Sequence, residues 1–193
     1  MNYLAHVLLS CHDKDLMAGN FIADFLTIKE VKSQPDKIIK GIELHKSIDS
    51  YTDQHSAVKS CVLILRPTQG KYSPVIIDIL FDYFLTKNWA KFCSIDLVPF
   101  ITNVYSILNE NKESFPEKLK NMLPIMIADD FLMSCANEER LSKTFLRLKK
   151  RVKFKNHFES ILLDLKNHSI DLEFNFLAFF PDLVKHVNSF CKC

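Results

Sequence analysis

Apolar residues recur every three or four positions along most of the chain, the spacing of one buried face on an α-helix. No alternating apolar–polar stretch of strand length appears. The pattern predicts helices over residues 2–10, 15–29, 35–65, 74–92, 95–108, 117–135, 157–168 and 172–190, and another that begins near residue 137. Prolines predict a kink at Pro124 and a break at Pro181. We therefore expect residues 1–193 to form one all-α domain, a bundle of about seven to nine helices.

Polar side chains interrupt the apolar face of one predicted helix. Residues 41–53 place His45, Asp49 and Asp53 at successive four-residue spacings, so the three point within about 80° of one another. They follow the same line as Ile38 and Ile42, which a helix normally buries. Burying an imidazole and two carboxylates is costly unless they are paired or bind a metal. The stretch therefore predicts one wall of a metal or acid–base site.

Three other segments in the first half of the chain show the same intrusion of polar residues onto apolar faces. These residues are His6, Asn20, Asp24, Asp78 and Asp82. Helix packing could bring the four faces together around one cavity. Imidazole and carboxylate ligands without thiolate suit Mn²⁺, Mg²⁺, Fe or Zn²⁺. Such a metal lowers the pKa of a bound water and polarises phosphoryl oxygens, which is the chemistry of phosphoester hydrolysis.

Each of these residues taken singly also has a structural interpretation. A lone His6 is more often a hydrogen-bonded core histidine, Asp53 can cap the segment that follows, and Asp24 can pair with a lysine. The two spaced pairs, His45 with Asp49 and Asp78 with Asp82, are harder to explain by chance on a buried face. For these pairs the pattern favours function.

Composition narrows the class of protein. Only three glycines occur among 193 residues, so no phosphate-binding glycine-rich loop can be written. The six cysteines form no CxxC motif, which argues against zinc ribbons and thioredoxin-like chemistry. No basic leader and no apolar run of about 18 residues appears, so we expect a cytoplasmic protein with reduced cysteines and no membrane partner. We expect the terminal Cys191 and Cys193 to be frayed and incidental.

A basic tract occupies residues 140–155. It holds eight of the 25 basic residues and no acidic one. The tract is either a solvated helix face or a docking surface for an acidic partner, with the docking residues Arg140, Lys143, Arg147, Lys150 and Arg151. No recognisable nucleic-acid-binding motif accompanies it, so we expect no nucleic-acid partner.

Linked motifs along nearly the whole chain resemble those of the acyl carrier protein phosphodiesterase family, a divergent branch of the HD-type metal-dependent phosphohydrolases. They are Met1-Asn-Tyr-Leu-Ala-His6, Gly19-Asn20-Phe-Ile-Ala-Asp24-Phe, Gly41-Ile-x-x-His45-Lys-x-Ile-Asp49-x-x-Thr-Asp53, Asp78-Ile-Leu-Phe-Asp82-Tyr-Phe-Leu-Thr-Lys-Asn-Trp89 and Phe179-Phe180-Pro181. The resemblance implies an HD-like helical fold. It also implies hydrolysis of the phosphodiester between 4′-phosphopantetheine and a serine of holo-acyl carrier protein, with a divalent metal, Mn²⁺ before Mg²⁺ or Fe²⁺.

The resemblance also implies roles for individual residues. Metal ligands would be His45, Asp49, Asp78 and Asp82, catalytic roles would fall on His6, Asp24 and Lys46, and Asn20 and Asp53 are further candidates. Lys46 stands where the family often has Arg, and Tyr83 stands where many members have His. The adjacent His-Asp doublet of the wider superfamily is absent from the motif region. Because acyl carrier proteins are strongly acidic, the basic tract would orient them.

Two other functions remain open from the sequence. One keeps the metal but changes the substrate to a nucleotide or another small phosphoester. The other is a non-enzymatic helical adaptor that binds an acidic protein through the basic tract. The oligomeric state is not determined by the sequence.

Overall fold

The computed structural model describes residues 1–191, which contain ten α-helices and no β-strand. The helices are α1 (Tyr3–Leu8), α2 (Lys14–Ile22), α3 (Ile28–Lys32), α4 (Asp36–Gln54), α5 (Ser56–Gln69), α6 (Ser73–Lys87), α7 (Leu97–Glu110), α8 (Glu117–Ala128), α9 (Glu138–Arg151) and α10 (Ile161–Cys191). All but the five-residue α3 have six residues or more. The all-α helical bundle predicted from the apolar periodicity is confirmed.

The predicted helix over residues 15–29 was too long. Helix α2 ends at Ile22, and a 3₁₀ turn, Ala23–Phe25, separates it from α3. Thr27 causes the new start, because its hydroxyl accepts the backbone N–H of Glu30 while the Glu30 carboxylate accepts the backbone N–H of Thr27. This break sets Asp24 on a turn, where its carboxylate can face α4.

Several other helix ends differ from the prediction. The predicted segment 35–65 is two helices divided at His55, whose ring accepts the backbone N–H of Ala57. Helix α6 ends at Lys87 rather than residue 92. Helix α8 ends at Ala128 rather than residue 135, because Asp130 adopts a left-handed backbone conformation with φ of 52°. Pro124 lies inside α8 without ending it.

The last helix, α10, is continuous where two helices were predicted, and the predicted break at Pro181 was wrong. Phe179 and Phe180, on the N-terminal side of the proline, are fully buried, as is Leu183 beyond it. Burial of this apolar face outweighs the one backbone hydrogen bond that a proline removes. Cys191 is the last described residue, and the prediction for Cys193 lies outside the described range.

Helix α10 packs against α4 and α5, and its aromatic residues join those of α6 in the core. The ring of Phe81 lies 5.3 Å from that of Phe176 and 5.4 Å from that of Phe179. Despite its 31 residues, α10 is not apolar enough to cross a bilayer, and neither is any other helix in residues 1–191.

Helices α2 and α4 cross with their backbones almost in contact, at Gly19 and Gly41. A Cβ atom added to Gly41 would lie 2.7 Å from the Cα of Gly19 and 2.9 Å from the backbone nitrogen of Asn20. A Cβ atom on Gly19 would overlap the carbonyl oxygen of Ile38. Only glycine at both positions permits this approach, and the crossing fixes the position of α4 relative to α2.

Asp82 holds the first helix in place. Its carboxylate oxygens accept the backbone N–H groups of Leu4, at 3.0 Å, and Ala5, at 3.2 Å, which lie in the first turn of α1. The side chain is buried, and burial raises the pKa of Asp82 to about 7 although these two hydrogen bonds oppose the shift.

Substituting Gly41→Ala should destabilise the fold by about 2–3 kcal/mol, because the new methyl group would meet backbone atoms that cannot move aside. Gly19→Ala should have a similar effect. Denaturant unfolding followed by circular dichroism measures the change. The control is Lys40→Ala on the exposed side of α4, which should change stability by no more than about 0.5 kcal/mol. Equal stability of the glycine and lysine variants would contradict the close crossing.

The Asp82→Asn variant should differ from the wild type in the pH dependence of its stability. The folded protein retains the Asp82 proton to about pH 7, whereas the unfolded chain releases it near pH 4. Wild-type stability therefore falls across this window relative to the variant, by up to about 1.4 kcal/mol per pH unit. Urea unfolding at several pH values between 4 and 8 measures the difference, and parallel profiles would contradict it.

Candidate metal centre

Four segments bring their polar side chains together at one end of the α2–α4 crossing. His6 comes from α1, Asn20 from α2, Asp24 from the 3₁₀ turn, and His45 and Asp49 from α4. The imidazole rings of the two histidines stack, with centroids 4.1 Å apart and planes inclined by 14°. We refer to these five residues as the polar cluster.

Asn20 fixes the tautomers of both histidines. Its amide nitrogen donates to the carbonyl oxygen of His6 at 2.8 Å and to the hydroxyl of Ser10 at 3.1 Å, so its side-chain oxygen accepts from Nδ1 of His6 at 2.8 Å. Its backbone carbonyl accepts from Nδ1 of His45 at 2.9 Å. Both rings therefore carry a proton on Nδ1 and turn Nε2 toward Asp49. Metal-binding histidines are oriented in this way.

The Nε2 atoms of both histidines lie against the Asp49 carboxylate. Nε2 of His6 is 3.2 Å from Oδ1, and Nε2 of His45 is 3.1 Å from Oδ2 and also 3.2 Å from Oδ1 of Asp24. One donor atom from each of His6, His45 and Asp49 lies within 4.8 Å of the others. Nε2 of His6 is buried and has no hydrogen bond of acceptable geometry. The donor set and this unsatisfied nitrogen fit a divalent cation.

The charges in the cluster favour a cation as well. Burial lowers the pKa of His6 to about 4, so its ring is neutral at pH 7. Burial also opposes charge on His45, but hydrogen bonds to Asp24 and Asp49 outweigh it and raise the pKa to about 9. The hydrogen bond from His45 lowers the pKa of Asp24. Burial opposes ionisation of Asp49, but the hydrogen bond from His45 and the nearby amino group of Met1 hold its pKa well below the usual range.

The amino group of Met1 lies beside the cluster. It is buried, 3.0 Å from Oδ1 of Asp78 and 3.5 Å from Oδ1 of Asp49. Burial lowers the pKa of this amine, but the two carboxylates outweigh it and the net shift is upward. Burial raises the pKa of Asp78, with the amine opposing. Asp49 and Asp78 thus share the ammonium of Met1 next to the two histidines.

The structure places the candidates Asp82, Asp53 and Lys46, and also Tyr83, outside the polar cluster. Both carboxylate oxygens of Asp82 accept hydrogen bonds from N–H groups of α1, so this geometry does not support the predicted role of metal ligand. Asp53 is exposed, one turn beyond Asp49. Lys46 is exposed and makes no ion pair or hydrogen bond within residues 1–191. Tyr83 packs against Phe84 on α6 and does not contact the cluster.

The basic tract is less free of acids than the sequence indicated, because acidic residues from elsewhere pair with it. Arg140 lies 3.2 Å from Asp130, and Arg147 lies 3.2 Å from Asp129. Lys143 pairs with Glu139. In the described part of the chain, Lys150 and Arg151 form no ion pair. These two residues are the part of the predicted docking set whose charge is not neutralised locally.

Sequence reasoning did not identify the amino group of Met1 or the role of Ser10. Side-chain periodicity contains no information about a backbone amine. Ser10 carries no charge and interrupts no apolar pattern, yet its fully buried hydroxyl accepts a hydrogen bond from Asn20 and helps to fix the orientation of that amide.

Comparisons with known proteins agree on one family, and the matches cover nearly the full length of this chain. The sequence model of the family described as acyl carrier protein phosphodiesterase matches residues 1–183. A protein of that name from Pectobacterium atrosepticum is 26% identical over 186 residues, covering 96% of each chain. One from Escherichia coli O157:H7 is 24% identical over 189 residues, covering 95% of this chain and 96% of its own.

No solved structure matches the chain, so the HD-like character of the fold stays a prediction. Because the family match spans far more than half of the sequence, the assignment rests on the whole domain and not on one motif. The chain belongs to the acyl carrier protein phosphodiesterase family.

Proposed function

We propose that this protein hydrolyses the phosphodiester that joins 4′-phosphopantetheine to a serine of holo-acyl carrier protein, releasing the apo-carrier. The single observation that supports this best is the convergence of His6, His45 and Asp49, with oriented Nε2 atoms and an anionic carboxylate, in a member of this family. A histidine–carboxylate cation site is suited to a substrate whose reacting group is a phosphate.

We infer that a divalent metal, Mn²⁺ before Mg²⁺ or Fe²⁺, binds between His6, His45 and Asp49, with Asp24 and Asp78 as further candidate ligands. Nitrogen and oxygen donors without sulfur suit these metals. When bound, the metal supplies Lewis acidity toward water and phosphoryl oxygens. The fully buried Asn20 holds both rings in the binding orientation, since it accepts the Nδ1–H of each.

Other groups of the chain would handle the charge of the substrate. Lys46 follows His45 directly on α4, and its exposed ammonium can contact phosphate oxygens. The amino group of Met1, close to Asp49 and Asp78, adds a second positive charge at the same place. The Asp24 carboxylate, 60% exposed, faces both His45 and solvent, so it can exchange protons with water at the reacting phosphate.

The part of the basic tract that forms no ion pair, Lys150 and Arg151, supports a carrier protein as the partner. Lys150 and Arg151 are exposed at the end of α9, and α9 lines the cavity that adjoins the polar cluster. Exposed positive charge increases the association rate of an acidic partner and orients it.

Removing the Asp49 carboxylate should abolish metal binding and carrier hydrolysis together. We expect Asp49→Ala to lose Mn²⁺ binding in calorimetry and at least about a hundredfold in rate, because two histidines alone hold the ion weakly. Loss of the prosthetic-group mass from holo-carrier, followed by mass spectrometry, measures the rate. Asp171→Ala, an exposed carboxylate on α10, is the control and should retain both properties.

The wild-type protein distinguishes the functions in the same assay. No mass loss from holo-carrier with Mn²⁺ present would contradict the proposal. Cleavage of a small phosphodiester alone would favour a different phosphoester substrate. Carrier binding without metal and without cleavage would favour the adaptor.

Reversing the charge of Lys150 should weaken turnover of the carrier but spare a small substrate. We expect Lys150→Glu to lower kcat/KM on holo-carrier about three- to tenfold at low salt, with a smaller effect at high salt. Hydrolysis of bis(p-nitrophenyl) phosphate should not change. Lys59→Glu on α5 makes the same charge change at another exposed position and should have little effect. Equal loss on both substrates would contradict docking.

A further inference from the structure

A cavity of about 450 Å³ opens next to the polar cluster, between α1, α6, α8 and α9. Its walls are mainly apolar, and they include Met122 and Met126 of α8 and Phe131. Arg147 and Arg151 of α9 also line it. The volume is within the range of cavities that bind small organic ligands. The chemistry of phosphodiester hydrolysis at the cluster does not by itself require such a cavity.

The cavity lies beside the cluster. One of its lining residues, Phe25, directly follows Asp24 of the cluster in the chain, and two others, Asn2 and Ile79, directly follow Met1 and Asp78, which pair next to the cluster. Tyr3, another lining residue, stacks on the ring of Phe25 at 6.2 Å and meets that of Phe131 edge-on at 5.6 Å.

Charges of both the cluster and the cavity act on the hydroxyl of Tyr3. Burial raises the pKa of Tyr3, the Asp24 carboxylate raises it further, and the Arg151 guanidinium opposes the shift. One hydroxyl thus lies within electrostatic reach of a carboxylate of the cluster and of an arginine of the cavity. The ring contacts of Tyr3 with Phe25 and Phe131 place the cavity beside the cluster, so a ligand whose phosphate lies at the cluster can extend into it.

The phosphodiester of the proposed substrate joins two groups, which we call its arms, and only one of them is small enough to enter the cavity. One arm is a serine on the surface of a folded protein, which is too bulky for a cavity of this size. The other is a flexible chain with a dimethyl-substituted carbon, two amides and a thiol. Apolar walls suit its hydrocarbon groups. Asn2, Ser134 and the arginines offer polar contacts for its amides.

We propose that this cavity binds the pantetheine arm of the substrate, with the phosphate at the polar cluster and the folded carrier outside. This inference rests on the proposed function. It makes Met122 and Met126 determinants of substrate binding, since their flexible side chains form the wall contributed by α8.

Filling the cavity tests the proposal. The variant Met126→Trp should lower kcat/KM for holo-carrier by roughly tenfold or more, chiefly through KM, because the arm loses its binding site. It should also lose binding of free 4′-phosphopantetheine in calorimetry. Mn²⁺ binding and hydrolysis of bis(p-nitrophenyl) phosphate should remain at wild-type levels. Met122→Phe fills the cavity from a second position and provides the same test if Met126→Trp does not fold.

A control variant separates filling of the cavity from general damage to the fold. Ile170→Trp introduces the same large ring at a position 83% exposed on α10 and should not affect turnover.

The outcomes distinguish this inference from the proposed function. Wild-type protein that fails to cleave holo-carrier overturns both. Active wild-type protein with unchanged kcat/KM in the filled variants overturns the cavity assignment alone. A loss confined to acylated carrier, with unacylated holo-carrier cleaved normally, would show that the cavity holds an acyl chain and that the assignment of the pantetheine arm is wrong.

Discussion

The close crossing of α2 and α4 at Gly19 and Gly41 is the contact on which the rest of the site depends. Because neither helix has a Cβ atom at the crossing, the backbone of Asn20 comes within hydrogen-bonding distance of a side chain on α4. Asn20 directly follows Gly19, so one residue orients His45 through its backbone and His6 through its side chain. A wider crossing would separate the two rings and leave Nδ1 of His45 without its partner.

The protonation states of the cluster follow from this geometry. Two stacked imidazoles turn Nε2 toward one carboxylate, and burial keeps the ring of His6 neutral while the carboxylates hold a proton on His45. The arrangement concentrates negative charge from Asp24, Asp49 and Asp78 where a neutral nitrogen donor also points. This combination of charge and donor atoms lies at one end of the α2–α4 crossing. The apolar cavity beside it provides a different environment, suited to an organic arm and not to an ion.

Polar residues on apolar helix faces predict the members of the cluster, but together with other residues that lie outside it. His45 and Asp49 are on the same side of α4 because a four-residue spacing brings them there in any helix. Asp82 satisfies the same rule, yet it caps α1, since periodicity shows which face a residue occupies and not what meets it. The pairing of Arg147 with Asp129 could not be predicted from the pattern either, because Asp129 lies outside the basic tract.

The sequence by itself determined the helical class and the set of candidates from which the cluster is drawn, because these depend on local spacing and residue type. Tertiary structure decided which of the candidates meet, since convergence depends on how separate helices pack. It also decided the tautomers, the burial of the Met1 amine and the existence of the cavity. These features depend on atoms that are distant in sequence, so they cannot be predicted from the pattern along one helix.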